Sequence, residues 1–141
     1  MSIERCDVYV GMCADLVHHG HVRILQEAAR YGRVTVGLLT DEAIVSYKRQ
    51  PILSYEERYE VISNFRQVYQ VVPQATLDYR PNLCLYKPQV VVHGDDWKTG
   101  PQVAARQAVI ETLQEWKGRL VEPTHTAGVS TTNLIERIKG K

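Results

Sequence analysis

Cysteine is scarce in this chain of 141 residues: Cys6, Cys13 and Cys84 are the whole supply. The number is odd, the positions are scattered, and no two stand at CxxC spacing. That argues against a disulfide framework and fits a reducing, cytoplasmic setting. Long apolar runs are also missing. None approaches the length of a membrane span, and the opening residues MSIERCD are polar, without a signal-peptide core. No membrane partner is expected. An excess of charge is missing too: 17 Lys and Arg against 16 Asp and Glu leave a net +1. Such a chain carries no field to attract nucleic acid or an acidic lipid surface, so any anion must be bound by a local arrangement. No repeat, linker or low-complexity stretch divides the sequence. The expectation is one globular domain over residues 1–141 with a single core.

The stretch around which the chain is organised is Val8 to Ala29, VYVGMCADLVHHGHVRILQEAA. It reads as a buried strand over Asp7 to Gly11, a short loop, and a helix from about His18. Val22, Leu25, Ala28 and Ala29 recur at helical spacing. His18 and His21 are three apart and share one face of the first turn. Free amides and the positive end of the helix dipole lie there. Gly20 lets a ligand approach the backbone. This combination suits a phosphate chain and can stabilise charge that develops during reaction. Two plainer readings compete: a histidine that merely caps the helix, and a metal pair completed by Cys13 or Asp15.

The rest of the chain alternates strand and helix. Gly32 is expected to end the first helix, with a second strand over Val34 to Leu39. Thr40 should cap a short helix over Asp41 to Tyr47, and Lys48 to Pro51 form a basic loop. Ser54-Tyr55-Glu56-Glu57 is a capping box opening a helix to about Gln67. A third strand covers Tyr69 to Pro73, and a helix over Leu77 to Lys87 is interrupted near Pro81. Gln89 to Gly94 form a fourth strand, running into Asp95-Asp96-Trp97. Pro101 should start a long helix ending at Gly118, followed by a fifth strand over Arg119 to Pro123. Ser130 can cap a last helix.

Five apolar strands separated by helices predict an α/β fold: a Rossmann-like, doubly wound parallel sheet of order 3-2-1-4-5. Ligands bind beyond the carboxyl ends of strands at the switch point between strands one and four. The His18 turn, the Asp95 turn and the loop Thr126-Ala127-Gly128-Val129-Ser130-Thr131-Thr132 all converge there. That loop combines a flexible glycine and hydroxyls at a helix start, suited to β- or γ-phosphate; a simple serine cap is the alternative. Asp95, Asp96 and Trp97 can serve ribose or a base edge, with Trp97 as an apolar wall, or form a solvated turn. Lys48, Arg49, Arg58 and Arg66 can neutralise phosphate, or simply be solvated. His93 reads as structural.

The ordered set HHGH, SYEER, HGDDW and GVSTT resembles the cytidylyltransferases of the glycerol-3-phosphate cytidylyltransferase type, within the HxGH nucleotidyltransferase superfamily. The resemblance covers essentially the whole chain. VGMCADLVHHGH, LDYRPNL and VVHGDDWK look closer still to the cytidylyltransferase domain fused to phosphoenolpyruvate mutase in phosphonate (fosfomycin) biosynthesis. The chain is therefore expected to be a domain of a bifunctional protein or a small protein in its own right.

The resemblance implies roles. His18 and His21 would hold the α-phosphate and its transition state. Met12, Cys13 and Gly20 would lie along the nucleotide, with Asp95, Asp96 and Trp97 near the cytidine. Arg66 matches a triphosphate-contacting arginine. Thr126 and Gly128, Val129, Ser130, Thr131 and Thr132 match the nucleotide-phosphate loop. Arg49 falls where the family has a mobile phosphate-binding lysine, Lys48 is its neighbour, and Arg80 falls near an acceptor-contacting lysine. The family's G-T-F-D becomes Met12-Cys13-Ala14-Asp15, which loses a hydroxyl at Cys13. Its phosphate-gripping arginine becomes His125, which shifts that task to Arg66, Lys48 and Arg49. The implied activity is transfer of CMP from CTP to a small phosphonate, expected to be 2-hydroxyethylphosphonate, with release of pyrophosphate. Glycerol-3-phosphate, aminoethylphosphonate and phosphoethanolamine are alternative acceptors. An adenylyltransferase and a non-catalytic nucleotide-binding module are the rival functions. Mg²⁺ is expected with CTP, held by the phosphates rather than by protein side chains alone. A homodimer is implied, and no nucleic acid.

Overall fold

The computed structural model describes residues 7–124 and 130–140. Five parallel strands form one sheet in the order β3-β2-β1-β4-β5: β1 Val8–Met12, β2 Val34–Leu39, β3 Val68–Gln74, β4 Val90–Val92 and β5 Arg119–Val121. The helices between them are α1 His19–Ala29, α2 Asp41–Val45, α3 Tyr55–Ser63, α4 Arg80–Tyr86 and α5 Val103–Gln114. A 3₁₀ turn spans Asp95–Trp97, and α6 Thr131–Lys139 follows β5. The doubly wound order is the expected one. It follows from strands with apolar side chains on both faces, which only a sheet covered on both sides can bury.

Alternation along the central strands divides the core in two. Val8 and Val10 of β1, with Val90 and Val92 of β4, pack on one face against Leu25 and Ala28 of α1 and Ile62 of α3. Tyr9 and Val91 point to the other face, against Leu83 of α4 and Val109 and Leu113 of α5. The Tyr9 hydroxyl donates to Gln74 Oε1 at 2.6 Å and accepts from Asn82 Nδ2 at 2.9 Å, so this buried phenol is satisfied.

Caps set most helix starts. Thr40 Oγ1 accepts from the Ala43 amide, Ser130 Oγ accepts from Asn133, and Ser54 and Glu57 form the reciprocal box read from the sequence. Several boundaries differ from expectation. α1 is capped at Arg30, with Gly32 two residues further on at φ +139. α3 stops at Ser63. α4 begins only at Arg80, so Pro81 sits in its first turn, where a missing N–H costs nothing, and does not interrupt it. α5 starts two residues after Pro101 and ends at Gln114; Lys117 at φ +61 then turns the chain toward Gly118. Among the described residues, no helix is long and apolar enough to cross a membrane.

Candidate active site

The site is built on the junction between β1 and α1. His18 is the N-cap of α1, in extended conformation, and its Nδ1 accepts from the Gly20 amide at 3.0 Å. His21 Nδ1 in turn accepts from the His18 amide at 3.1 Å. The capping reading and the phosphate reading are therefore compatible: two imidazoles replace the serine and glutamate of an ordinary capping box. An Nδ1 that accepts carries no proton, so each neutral ring keeps its proton on Nε2. Burial lowers both pKa values. That of His21 falls to about 4, chiefly by desolvation and then by the His18 ring and the Lys48 ammonium. His18 is lowered first by burial and then by His19. The pair is neutral near pH 7, with its free donors set by backbone hydrogen bonds.

Both histidines line a cleft of about 730 Å³ at the carboxyl edge of the sheet. Met12, Cys13 and Gly20 border it on the β1–α1 side, and Gly94 and Asp96 on the β4 side. Ser130, Thr131 and Thr132 close it from the start of α6, and Lys48 reaches it from the loop after α2. Three separated segments thus meet at the switch point. The Thr131 hydroxyl donates to the Leu16 carbonyl at 3.2 Å, tying α6 to the loop before α1. Thr126, Gly128 and Val129, with His125, lie outside the described residues. Arg23 also lines the cleft. Sequence reasoning passed it over, although it follows Gly20 by three positions and so shares its face.

Two buried groups hold the loops in place. Asp15 is 1% exposed and stands between Ala14 and Leu16, both in left-handed backbone at φ +56 and +61. Its carboxylate accepts from the amides of Ile52 and Leu53 at 2.9 and 3.0 Å and from Arg49 Nη2 at 3.2 Å. Arg58 is fully buried. It donates to the carbonyls of Leu53, Cys13 and Leu39 and to Asp41 Oδ1, at 2.7 to 3.1 Å. The assignment of Arg58 to phosphate is corrected: its side chain is fully buried, and its four hydrogen bonds tie Cys13, Leu39, Asp41 and Leu53 together away from any ligand. The Asp15 carboxylate, offered as a further ligand beside the histidines, is instead taken up by Arg49 and the amides of Ile52 and Leu53. Among the described residues, no cluster of three or more His, Cys, Asp or Glu is placed to hold an ion.

The apolar wall assigned to Trp97 is corrected as well. Trp97 is 2% exposed and belongs to the core. His93 covers it, stacked in parallel at 3.6 Å between ring centroids, and His93 is the ring that lines the cleft. The His93 Nδ1 donates to the Gly94 carbonyl at 2.8 Å, which leaves Nε2 as an acceptor. Burial is the main cause that lowers its pKa. Below, the Trp97 indole N–H donates to Glu122 Oε2 at 2.7 Å, and Arg106 grips both oxygens of Glu122 at 2.8 and 3.1 Å. The guanidinium, more than any other neighbour, holds the Glu122 carboxyl below its usual range. Glu122 and Arg106 were not legible beforehand, because their partners are 25 and 16 positions away.

The remaining predicted residues are not gathered in the cleft. Arg66 is exposed in the turn before β3, at the amino edge of the parallel sheet and so at the opposite end from the histidines. Arg80 is exposed and makes a bidentate contact with Asp78 at 2.9 to 3.1 Å. Arg49 points to Asp15. Asp95 lies at the base of the turn, its amide donating to the Pro123 carbonyl.

Comparison with known proteins meets this geometry. Ethanolamine-phosphate cytidylyltransferase of Saccharomyces cerevisiae is 35% identical, over 100% of this chain and 44% of its own length. That of Mus musculus is 36% identical, over 93% of this chain and 32% of its own length. The chain thus spans less than half of these curated relatives. The lipopolysaccharide core biosynthesis protein from Thermoplasma volcanium superposes with a TM-score of 0.73 at 18% identity, covering 86% of this chain and 98% of that one, which is a likeness of fold. A family profile described as Cytidylyltransferase-like matches residues 9–137, from the first core strand through α6. That match takes in most of the chain, from β1 into α6, and the chain belongs to the cytidylyltransferase-like family.

Proposed function

We propose that this chain transfers CMP from CTP to a small phosphonate, 2-hydroxyethylphosphonate being the acceptor of choice. The observation that carries the reading is the histidine capping box. It presents two neutral Nε2–H donors, with the head of an 11-residue helix behind them, into a cleft at the carboxyl edge of the sheet. An oxygen of the acceptor forms a bond to the α-phosphorus of CTP, the bond to the bridging oxygen breaks in line, and pyrophosphate departs with that electron pair. The acceptor oxygen is already anionic near neutral pH, so no general base is needed. His18 and His21 hold the α-phosphate oxygens, while Lys48 and the Ser130 to Thr132 segment position the rest of the triphosphate. Catalysis is then positioning and charge stabilisation. Mg²⁺ bound to the triphosphate would balance its charge; with no side-chain cluster to hold it among the described residues, phosphate oxygens and water would supply its ligands. The resemblance also leads us to propose a homodimer and a fused phosphoenolpyruvate mutase.

The curated relatives favour a second acceptor, phosphoethanolamine, which their names carry. A competition decides. 2-Hydroxyethylphosphonate, aminoethylphosphonate, phosphoethanolamine and glycerol-3-phosphate are mixed with CTP limiting, and the cytidylyl products are quantified. The phosphonate product should dominate. Dominance of the phosphoethanolamine or glycerol product removes the phosphonate assignment and leaves the transferase.

A further inference from the structure

A second, smaller cavity of about 70 Å³ lies against the cleft beside the end of β1. Gly11, Met12, Cys13, His93 and Gln102 border both spaces, so the two adjoin. The inner wall carries Tyr47, Gln74 and Tyr79, with Leu39 and Leu77 as its apolar part. At about 30 Å³ per water, the recess holds about two waters, or a two-carbon tail with one polar end.

Two features of the lining are informative. First, no Asp, Glu, Lys or Arg contributes to it. Second, two phenol hydroxyls stand in it without a hydrogen-bond partner among the described residues. Tyr79 is 5% exposed; its ring packs on Tyr9 and Trp97, and no described residue hydrogen-bonds its oxygen. Tyr47 is half-buried, and its hydroxyl likewise has no partner among the described residues. Neither oxygen is sealed in the core, since among the described residues the buried side-chain polar atom left without a partner is Arg49 Nε, so both hydroxyls keep surface that a ligand can reach. The Gln74 side chain is already engaged by Tyr9 and the Thr76 carbonyl. Gly11 keeps the mouth open, since a Cβ there would overlap the Tyr79 hydroxyl. Burial pushes the Tyr47 pKa up to about 12 and raises that of Tyr79 further, so both phenols stay neutral.

Resting on the cytidylyl-transfer reading, we propose that this recess seats the tail of the acceptor and that Tyr47 and Tyr79 select a tail ending in an uncharged hydroxyl over one ending in ammonium. A hydroxyl can donate to one phenol and accept from the other, which satisfies both. An ammonium can only donate, and it meets no counter-charge among the residues that line the recess. A methyl end leaves both phenols unpaired, which a site built for a hydroxyl rejects strongly.

The test compares three phosphonates that differ only at the tail: 2-hydroxyethyl-, 2-aminoethyl- and n-propylphosphonate. Pyrophosphate release gives kcat/KM for each with the intact chain and with the double variant Tyr47→Phe/Tyr79→Phe; Tyr47→Phe alone serves if the double variant does not fold. The intact chain should favour the hydroxyl tail over propyl by at least about tenfold. The double variant should bring the two within about threefold, with KM for CTP unchanged. Calorimetric titration of 2-hydroxyethylphosphonate should show the same loss in binding. A preference for the amino tail, or a hydroxyl preference that survives the double substitution, overturns the assignment while the transferase stands. No pyrophosphate from any of the three overturns both.

Discussion

Acidification probes the histidine capping box directly. The His21 pKa lies at about 4 in the folded protein against 6.5 for an unperturbed imidazole, with burial the first cause. As pH falls through 6.5, the unfolded chain takes up a proton at this residue and the folded chain does not. The unfolded state therefore binds more protons in this window, and stability falls with pH. The contribution is complete above about 6.5 and gone below about 4. At about 1.4 kcal/mol per unit, the full shift amounts to about 3 kcal/mol, and about 2 kcal/mol of it is lost between about pH 7 and about pH 4.5. Burial is the main cause, with the His18 ring and the Lys48 ammonium behind it; in the folded chain Nδ1 is also occupied as the acceptor of the His18 amide. His21→Gln keeps an acceptor but cannot titrate. Urea unfolding of both proteins at the two pH values isolates the residue, because the carboxylates titrate alike in each. The wild type should lose about 2 kcal/mol more than the variant on acidification. Equal losses would mean that His21 is not held neutral and that the reciprocal cap is wrongly described.

Further expectations concern activity and packing. His21→Ala should lower turnover by about 10²-fold or more while changing CTP affinity much less, as loss of a preorganised donor does; steady-state kinetics with CTP and 2-hydroxyethylphosphonate reads it, and near-normal turnover removes His21 from the mechanism. CTP should be used at least about tenfold better than ATP, because a base edge left unpaired in the cleft costs about 1–3 kcal/mol; equal rates would favour adenylyl transfer. Arg58→Met should destabilise the fold by about 3–5 kcal/mol, since it orphans the buried Leu39 carbonyl and the part-buried carbonyls of Cys13 and Leu53. Chemical denaturation measures this, and a loss under about 1 kcal/mol would show that the clamp is not structural.

The fold was readable because its signals are local and repeated. Each strand is a short apolar run, each connection has helical length, and parallel strands demand the crossovers that yield the order 3-2-1-4-5. The capping residues Thr40, Ser54 and Ser130 were readable for the same reason, since a cap and its target amide are two or three residues apart. So was the placement of His18 and His21 at the head of α1, which helical geometry alone dictates. Their neutral state and proton positions were not, because these depend on burial and on which nitrogen accepts from the backbone.

Tertiary structure decided which polar residues meet the cleft and which sustain the fold. Arg58, Trp97, Arg80 and Arg66 carry no local mark that separates a ligand contact from a clamp, a core ring, a surface pair or a turn at the far edge. Only packing shows that Arg58 is enclosed by carbonyls, that Trp97 lies beneath His93, and that Arg80 already holds Asp78. The same holds for Tyr79, whose hydroxyl faces a recess only because Gly11, 68 positions earlier, has no side chain to fill it. Helix and strand periodicity act over a few residues, whereas the partner of a buried polar group is chosen by whatever the sheet brings beside it.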